Sequence, residues 1–267
     1  ARHGNGERQL SNHLASYLDF EVVTAYLAGR LTLGYFQAGI RPDFKADQTP
    51  VTVADQKAEE LIRGRIEKKF PDHAIVGEEF GESAHKGARS HRWYIDPIDG
   101  TKAFTRGVPL YGVLLGLEIE GRVEAGVAYF PALDEMVAAA TGLGCRFNGR
   151  PARVSSVGRM ADAVATFTDP GSFAQYGRAE AWQRIGQAAY VRAGWGDAYG
   201  HCLVATGRAE VMLDAVVNVW DCAPFPPILK EAGGYFGDWS GNETICANEA
   251  ISANAAVLPR VLALIRG

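Results

Sequence analysis

Residues 93–101 read Trp93-Tyr94-Ile95-Asp96-Pro97-Ile98-Asp99-Gly100-Thr101. The apolar run Trp93, Tyr94, Ile95 has the character of a short buried strand. It ends abruptly in two acids, with Pro97 between them and Gly100 after them to break the backbone. Asp96 and Asp99 are therefore predicted at a strand end and in a turn, where irregular chain carries function on a rigid base. Carboxylates this close repel, at roughly 4 kcal/mol for 4 Å and an effective dielectric of about 20. A shared proton, a basic partner or a metal has to offset that. No Lys or Arg lies between the two acids, and hard divalent cations such as Mg2+ take oxygen ligands of this kind. Taken alone, the stretch would read as a turn cap beside a solvated acid; the rest of the chain decides.

Upstream, Ala74-Ile75-Val76 predicts another short strand, and it too runs into acids, Gly77-Glu78-Glu79. Before it, Thr52 reads as the N-cap of a helix in which Ala58, Ile62, Ile66 and Phe70 recur every four residues until Pro71. Asp55 lies in its first turn, where the helix dipole favours an anion. Residues 10–38 predict a long helix closed by Gly39 and Pro42, residues 45–52 a polar extended segment, and residues 1–9 a disordered tail. Residues 81–90 form a charged loop that could serve as a flap.

Downstream, residues 111–119, 123–130 and 135–139 predict successive antiparallel strands, and Asn148-Gly149 a hairpin turn. The glycine-rich run before that turn is not followed by a helix, so it is not read as a phosphate cradle. Beyond Ser155 strands at 163–167, 190–192 and 209–213 alternate with helices at 177–189, 197–206 and 219–231. Asp214 ends one strand, and Asp221 lies near the start of a helix whose Pro224, Pro226 and Pro227 should reshape its first turns. A strand at 235–236, a turn at 238–241 and a helix at 257–265 complete the pattern. Two halves sharing one interface are predicted: residues 1–155, an α+β half with most of the acids, and residues 156–267, an α/β half with Asp221 and substrate-selecting residues.

With 47% hydrophobic and 22% charged residues among 267, the composition is that of an ordinary globular protein. A net charge of −4 gives no basic footprint, so neither nucleic acid nor an anionic membrane is an expected partner. Charges break every apolar run well short of ~20 residues, so no transmembrane helix is expected. Four widely spaced cysteines and no apolar signal core point to reduced thiols and a cytoplasmic location.

Gathered together, Asp55, Glu78, Asp96, Asp99 and Asp221 would form an oxygen-rich cage for two or three Mg2+ ions, suited to a small phosphomonoester. Lys45-x-Asp-x-Thr-Pro-Val-Thr, Thr52-Val-Ala-Asp55, Gly77-Glu78-Glu79, Asp96-Pro-Ile-Asp99-Gly-Thr101, Leu203-Val-Ala-Thr-Gly207 and Trp220-Asp221 resemble the motifs of the inositol monophosphatase family, in order and at similar spacing. The resemblance implies an α/β (α+β) fold, a layered α/β/α/β/α sandwich, in a protein that is commonly a homodimer. It implies that Glu78, Asp96 and the Ile98 carbonyl hold one metal, and that Asp96, Asp99 and Asp221 hold a second. A third, looser metal would sit near Glu78. Thr101, hydrogen-bonded to Asp55, would orient or deprotonate the attacking water. The N–H groups of Gly100 and Thr101 would receive the phosphate, with Lys45 among the substrate-binding residues.

Within that family, Trp195-Gly196-Asp197-Ala-Tyr199-Gly200 and the segment from Arg208 to Asp214 resemble the histidinol-phosphate phosphatase branch. Inositol phosphatases typically carry a neutral Gly-Thr-Ala where Asp197 falls. Histidinol phosphate brings an ammonium and an imidazole, and Asp197 or Asp214 could pair with them. Asp197 reads equally as an N-cap. Arg192 is a further candidate substrate contact, although Ala193-Gly194 sets it farther from the Trp195-Gly196-Asp197 segment than is usual in related histidinol phosphatases. His201 reads as a packed helix residue. The alternatives are an inositol-1-monophosphatase, a broad-specificity sugar phosphatase, or a non-enzymatic phosphate-binding module. Intact Asp55 and Thr101 argue against the last, since a binder has no need to activate water.

Overall fold

The computed structural model describes residues 3–39, 41–45, 50–83 and 90–267, with side chains from residue 12 onward. Residues 46–49 of the polar extended segment and 84–89 of the expected flap lie outside the described residues.

Among the described residues, an eight-stranded sheet runs from edge to edge in the order Arg150–Pro151, Gly144–Phe147, Glu135–Ala140, Arg122–Phe130, Gly112–Ile119, His91–Asp99, Ala74–Gly77, Gly81–Glu82. Its neighbours pair antiparallel except Ala74–Gly77 with His91–Asp99, which run parallel and so deliver both acidic segments to the same end of the sheet. The Asn148-Gly149 turn has φ of 47° and 77°, the left-handed pair that a two-residue hairpin turn demands.

A five-stranded sheet follows in the order Val191–Ala193, Val164–Phe167, Val211–Asp214, Ala250–Asn254, Gly234–Gly237. Its first three strands are mutually parallel, and the last two join antiparallel.

Helices His3–Leu33 and Val53–Lys69 cover one face of the large sheet through Phe20, Ala28, Ile62 and Ile66 against Trp93, Leu115 and Val127. Between the sheets lie Asp197–Ala205 and Phe225–Glu231, whose Cys202, Leu203, Phe225 and Ile228 pack with Leu114 and Ala128 on one side and Met212 and Phe236 on the other. Ala179–Ala188 and Leu258–Arg266 close the far face of the small sheet through Ile185 and Val261. The result is an α/β/α/β/α sandwich. Gly116 and Gly126 face each other across adjacent strands. A Cβ on Gly116 would stand 2.7 Å from that of Ala223, and one on Gly126 would collide with the Pro224 backbone.

Four local expectations need correction. The N-terminal helix begins at His3 rather than after a disordered tail, since extending an existing helix fixes one residue per added hydrogen bond. The segment read as one helix at 219–231 is two, Val219–Cys222 and Phe225–Glu231, divided at Pro224. Residues 177–189 yield Ala179–Ala188 after a separate short helix, Pro170–Gln175, which Asp169 caps. The strand Ala250–Asn254 was not anticipated; it is buried throughout between two partners, and Ile251 is its one large apolar residue.

Candidate active site

A separation of three residues would place Asp96 and Asp99 on opposite faces of a regular strand. The pairing of His91–Asp99 with Gly112–Ile119 removes that conflict. Asp96 stands opposite Leu114 and Asp99 opposite Gly112, so three steps on one strand match two on the other. The extra residue is a bulge at Pro97-Ile98, which turns both acids to one side. Both are nearly inaccessible, at 2% and 9% exposure. Asp221 approaches from the start of Val219–Cys222, where its Oδ2 accepts from the Asn218 N–H at 2.7 Å. One oxygen from each of Asp96, Asp99 and Asp221 lies within 4.8 Å of the other two.

The electrostatics follow from this crowding. Burial first, then Glu78, Asp99 and Asp221, hold the Asp96 carboxyl well above its ordinary range. Burial, Asp197 and Asp221 do the same to Asp99, against a hydrogen bond from the Ala198 N–H at 2.8 Å. Burial above all pushes Asp221 up to about 7. Among the described residues no ion pair reaches these three acids. A set of hard oxygen donors with this unmet demand for positive charge fits a divalent cation.

Glu78 follows the strand Ala74–Gly77, and its N–H donates to the Ile95 carbonyl at 3.1 Å, tying it to the central strand. Its carboxylate adds to the field on Asp96, Asp55 and Asp221 but lies outside the close group of three. The Lys45 ammonium reaches Glu78 Oε1 at 2.8 Å and Glu79 Oε1 at 2.7 Å. Against the cost of burial, these two bonds raise the Lys45 pKa. Lys45 thus holds two acids here.

Asp55 completes a capping box, with Oδ2 accepting from the Thr52 N–H at 2.8 Å and the Thr52 hydroxyl at 2.6 Å. Its other oxygen faces the Thr101 hydroxyl at 3.4 Å, and that hydroxyl lies 3.0 Å from the Ile98 carbonyl. One hydroxyl proton has two acceptors, so Thr101 can hand it to either. Burial raises the Asp55 pKa although both Thr52 bonds oppose the shift. Gly100 has φ 78° and caps the short helix Thr101–Thr105. A Cβ there would stand 2.9 Å from the Leu110 carbonyl and 3.3 Å from Asp197 Oδ2, so glycine makes room for that carboxylate.

A cleft of about 60 Å³ opens beside the acids, lined by Asp99, Thr168, Asp197, His201, Asp214, Val217 and Asp221 among others. A larger cavity of about 350 Å³ lies elsewhere, lined by Arg122, Pro226, Lys230 and Cys246 among others, and none of the converging acids reaches it. Chemistry, not volume, marks the smaller one. Asp197 is half-buried, and burial together with Asp214 raises it to about 6, against the pull of Lys102. The N-cap reading of Asp197 does not hold. Gly196 occupies that position, and Asp197 is the first helical residue, with φ 52° and its N–H on Thr168 Oγ1 at 2.7 Å.

Arg192 is exposed on the edge strand Val191–Ala193, and its guanidinium donates to the Gly186 carbonyl. It does not line the cleft. Thr168 and Val217 were missed as lining residues; neither belongs to a charged or motif-like run.

Residues 13–266 match a family model described as the inositol monophosphatase family. A histidinol-phosphatase of Chlorobaculum parvum is 44% identical over 93% of this chain and 96% of its own. A histidinol-phosphatase of Mycobacterium tuberculosis is 34% identical over 84% of this chain and 87% of its own. The crystal structure of the extragenic suppressor protein suhB from Bartonella henselae superposes with a TM-score of 0.86 at 27% identity, covering 94% of this chain and 98% of that one.

Proposed function

As the chain belongs to the inositol monophosphatase family and is a phosphomonoester hydrolase, we propose that it is a magnesium-dependent histidinol-phosphate phosphatase of histidine biosynthesis. One observation carries the choice of substrate: Asp197 and Asp214 add two acids to the wall of a cleft that already opens on Asp99 and Asp221. Asp99 and Asp221 belong to the group of three acids whose spacing could hold a metal. The second pair suits an alcohol that is itself cationic, as histidinol is, whereas an inositol ring offers only hydroxyls. The two histidinol-phosphatases among the relatives support the same choice.

Asp96, Asp99, Asp221, Glu78 and the Ile98 carbonyl would hold Mg2+. When bound, the metal supplies Lewis-acid polarisation of the phosphoryl oxygens, a more acidic water and charge compensation for the leaving alkoxide. The chain does the rest. Asp55 accepts from the Thr101 hydroxyl, leaving the threonine oxygen free to receive a proton-bearing water and aim it. The Gly100 and Thr101 N–H groups hold the phosphate in line, and Lys45 stands within the same acidic mouth. Asp197 and Asp214 fix the ammonium and imidazole of the substrate and so align its ester oxygen. Arg192 has no part in this reading. By the same resemblance the protein is a homodimer, and its four widely spaced cysteines suit the reducing cytoplasm; light scattering and cell fractionation would check the two.

The test is phosphate release from L-histidinol phosphate, myo-inositol 1-phosphate, fructose 1,6-bisphosphate and β-glycerophosphate, each with Mg2+ and with EDTA. Preferred turnover of L-histidinol phosphate, abolished by EDTA and restored by Mg2+, is the expected result. Equal or better turnover of the neutral esters would overturn the choice of substrate.

A further inference from the structure

Asp197 and His201 lie four residues apart in the helix Asp197–Ala205, hence on one face, and both line the cleft. His201 is buried, with its ring 4.7 Å from Phe225 and 5.5 Å from Phe236. Both ring nitrogens are committed: Nδ1 lies 2.7 Å from Ser252 Oγ, and Nε2 lies 3.1 Å from Asp214 Oδ2. Asp214 pairs with Ala250, and Met212 with Ser252, across adjacent strands, so Asp214 and Ser252 present to the same face of the small sheet.

The network assigns the protons. Nε2 must donate, because an ionised Asp214 carboxylate can only accept. In the neutral ring Nδ1 then accepts from the Ser252 hydroxyl. With the ring neutral, donation runs from Ser252 through His201 to Asp214; in either protonation state Nε2 donates to Asp214. It ties up Oδ2 and stops the carboxylate from rotating, leaving Oδ1 for a ligand. With neither nitrogen free for a reacting atom, His201 is no acid or base for the ester.

We propose that His201 is a positioning residue for substrate selection, holding Asp214 in the orientation that receives the cationic end of the alcohol. The proposal rests on the cationic-substrate reading above, and the experiment separates the two.

His201→Phe keeps the aromatic packing and removes both hydrogen bonds; His201→Gln can return one N–H to Asp214. Both are assayed with L-histidinol phosphate and β-glycerophosphate, and with L-histidinol as a product inhibitor. A hydrogen bond to a charged group is worth enough to predict a ~10-fold rise in KM for L-histidinol phosphate in the Phe variant. The inhibition constant of L-histidinol rises by the same factor, and kcat stays within about threefold of wild type. KM for β-glycerophosphate stays within about twofold, and the Gln variant recovers most of the loss. If wild type prefers L-histidinol phosphate but His201→Phe leaves its KM unchanged, or weakens both substrates equally, the role of His201 is refuted alone. If wild type hydrolyses β-glycerophosphate yet neither turns over L-histidinol phosphate nor is inhibited by L-histidinol, the substrate reading falls, and this proposal with it.

Discussion

Asp96→Asn should make the metal-free protein more stable while destroying its activity. The Asp96, Asp99 and Asp221 oxygens lie within 4.8 Å of one another, and at that distance each ionised pair costs about 3.5 kcal/mol with an effective dielectric near 20. The Asp221 carboxyl, raised by burial first and then by Glu78, shows what confinement among these acids costs. Raising it from 3.8 to about 7 corresponds to about 4 kcal/mol at 1.36 kcal/mol per pH unit. A carboxyl whose pKa is raised by folding binds its proton more tightly in the folded state. Its contribution is therefore full below about pH 4 and is lost as pH rises through about 7. Removing the Asp96 charge should recover about 3 kcal/mol at pH 8, or roughly 6–12 °C in Tm for a chain of this size. Asparagine keeps an Oδ1 to accept the Ile98 N–H, now 3.0 Å from Asp96 Oδ1, so the bulge survives. The assay is thermal unfolding at pH 5 and pH 8, in EDTA and in Mg2+. In EDTA the variant should exceed wild type at pH 8 and approach it at pH 5. In Mg2+ only wild type should gain. A variant no more stable than wild type in EDTA at pH 8, or one that keeps the full Mg2+ gain, would refute the argument.

Thr101→Ala should lower kcat by ~10²-fold or more while keeping the Mg2+-induced rise in Tm, which separates water activation from metal binding. Gly100→Ala forces a side chain into a φ of 78° and against the Leu110 carbonyl; urea unfolding should show a loss of about 1–3 kcal/mol. Asp197→Asn should raise KM for L-histidinol phosphate more than for β-glycerophosphate. Because burial and Asp214 raise Asp197 to about 6, inhibition of wild type by L-histidinol should weaken as pH falls through that value. His73, stacked on His91 at 4.4 Å and accepting from Trp93 Nε1, is pushed down to about 4 by burial and by His91. Its imidazole NMR signals should stay those of the neutral ring down to about pH 5, and a midpoint near 6.5 would contradict the packing.

The acids were legible because their chemistry is local. An apolar run broken by Asp-Pro-x-Asp-Gly announces itself without knowledge of any partner strand, as does Thr52 heading a helix with Asp55 in its first turn. The bulge that turns Asp96 and Asp99 to one face was not legible, because it is a property of pairing with Gly112–Ile119 rather than of either segment. Ala250–Asn254 escaped for a similar reason: a central strand covered on both faces can be built from Ala, Ser and Asn around a single Ile251, with no apolar alternation to betray it. Asp197 looked like a cap because acids often are. Only the left-handed φ and the bond from its N–H to Thr168 show that the chain enters the helix another way, with Gly196 as the cap.

Gly116 and Gly126, partners across two strands of the large sheet, let the chain at Ala223 and Pro224 settle directly on the sheet backbone. Asp221 hangs from that segment, two residues earlier, while Asp96 hangs from the next strand over. The gap between them is therefore gauged by missing methyl groups rather than by any rotamer. A single carbon added at Gly126 would act as a shim, prising the upper jaw away with every ligand chemically intact. Such a variant should shift cation preference toward a larger ion, Ca2+ over Mg2+, making two residues that can never touch the metal arbiters of its size.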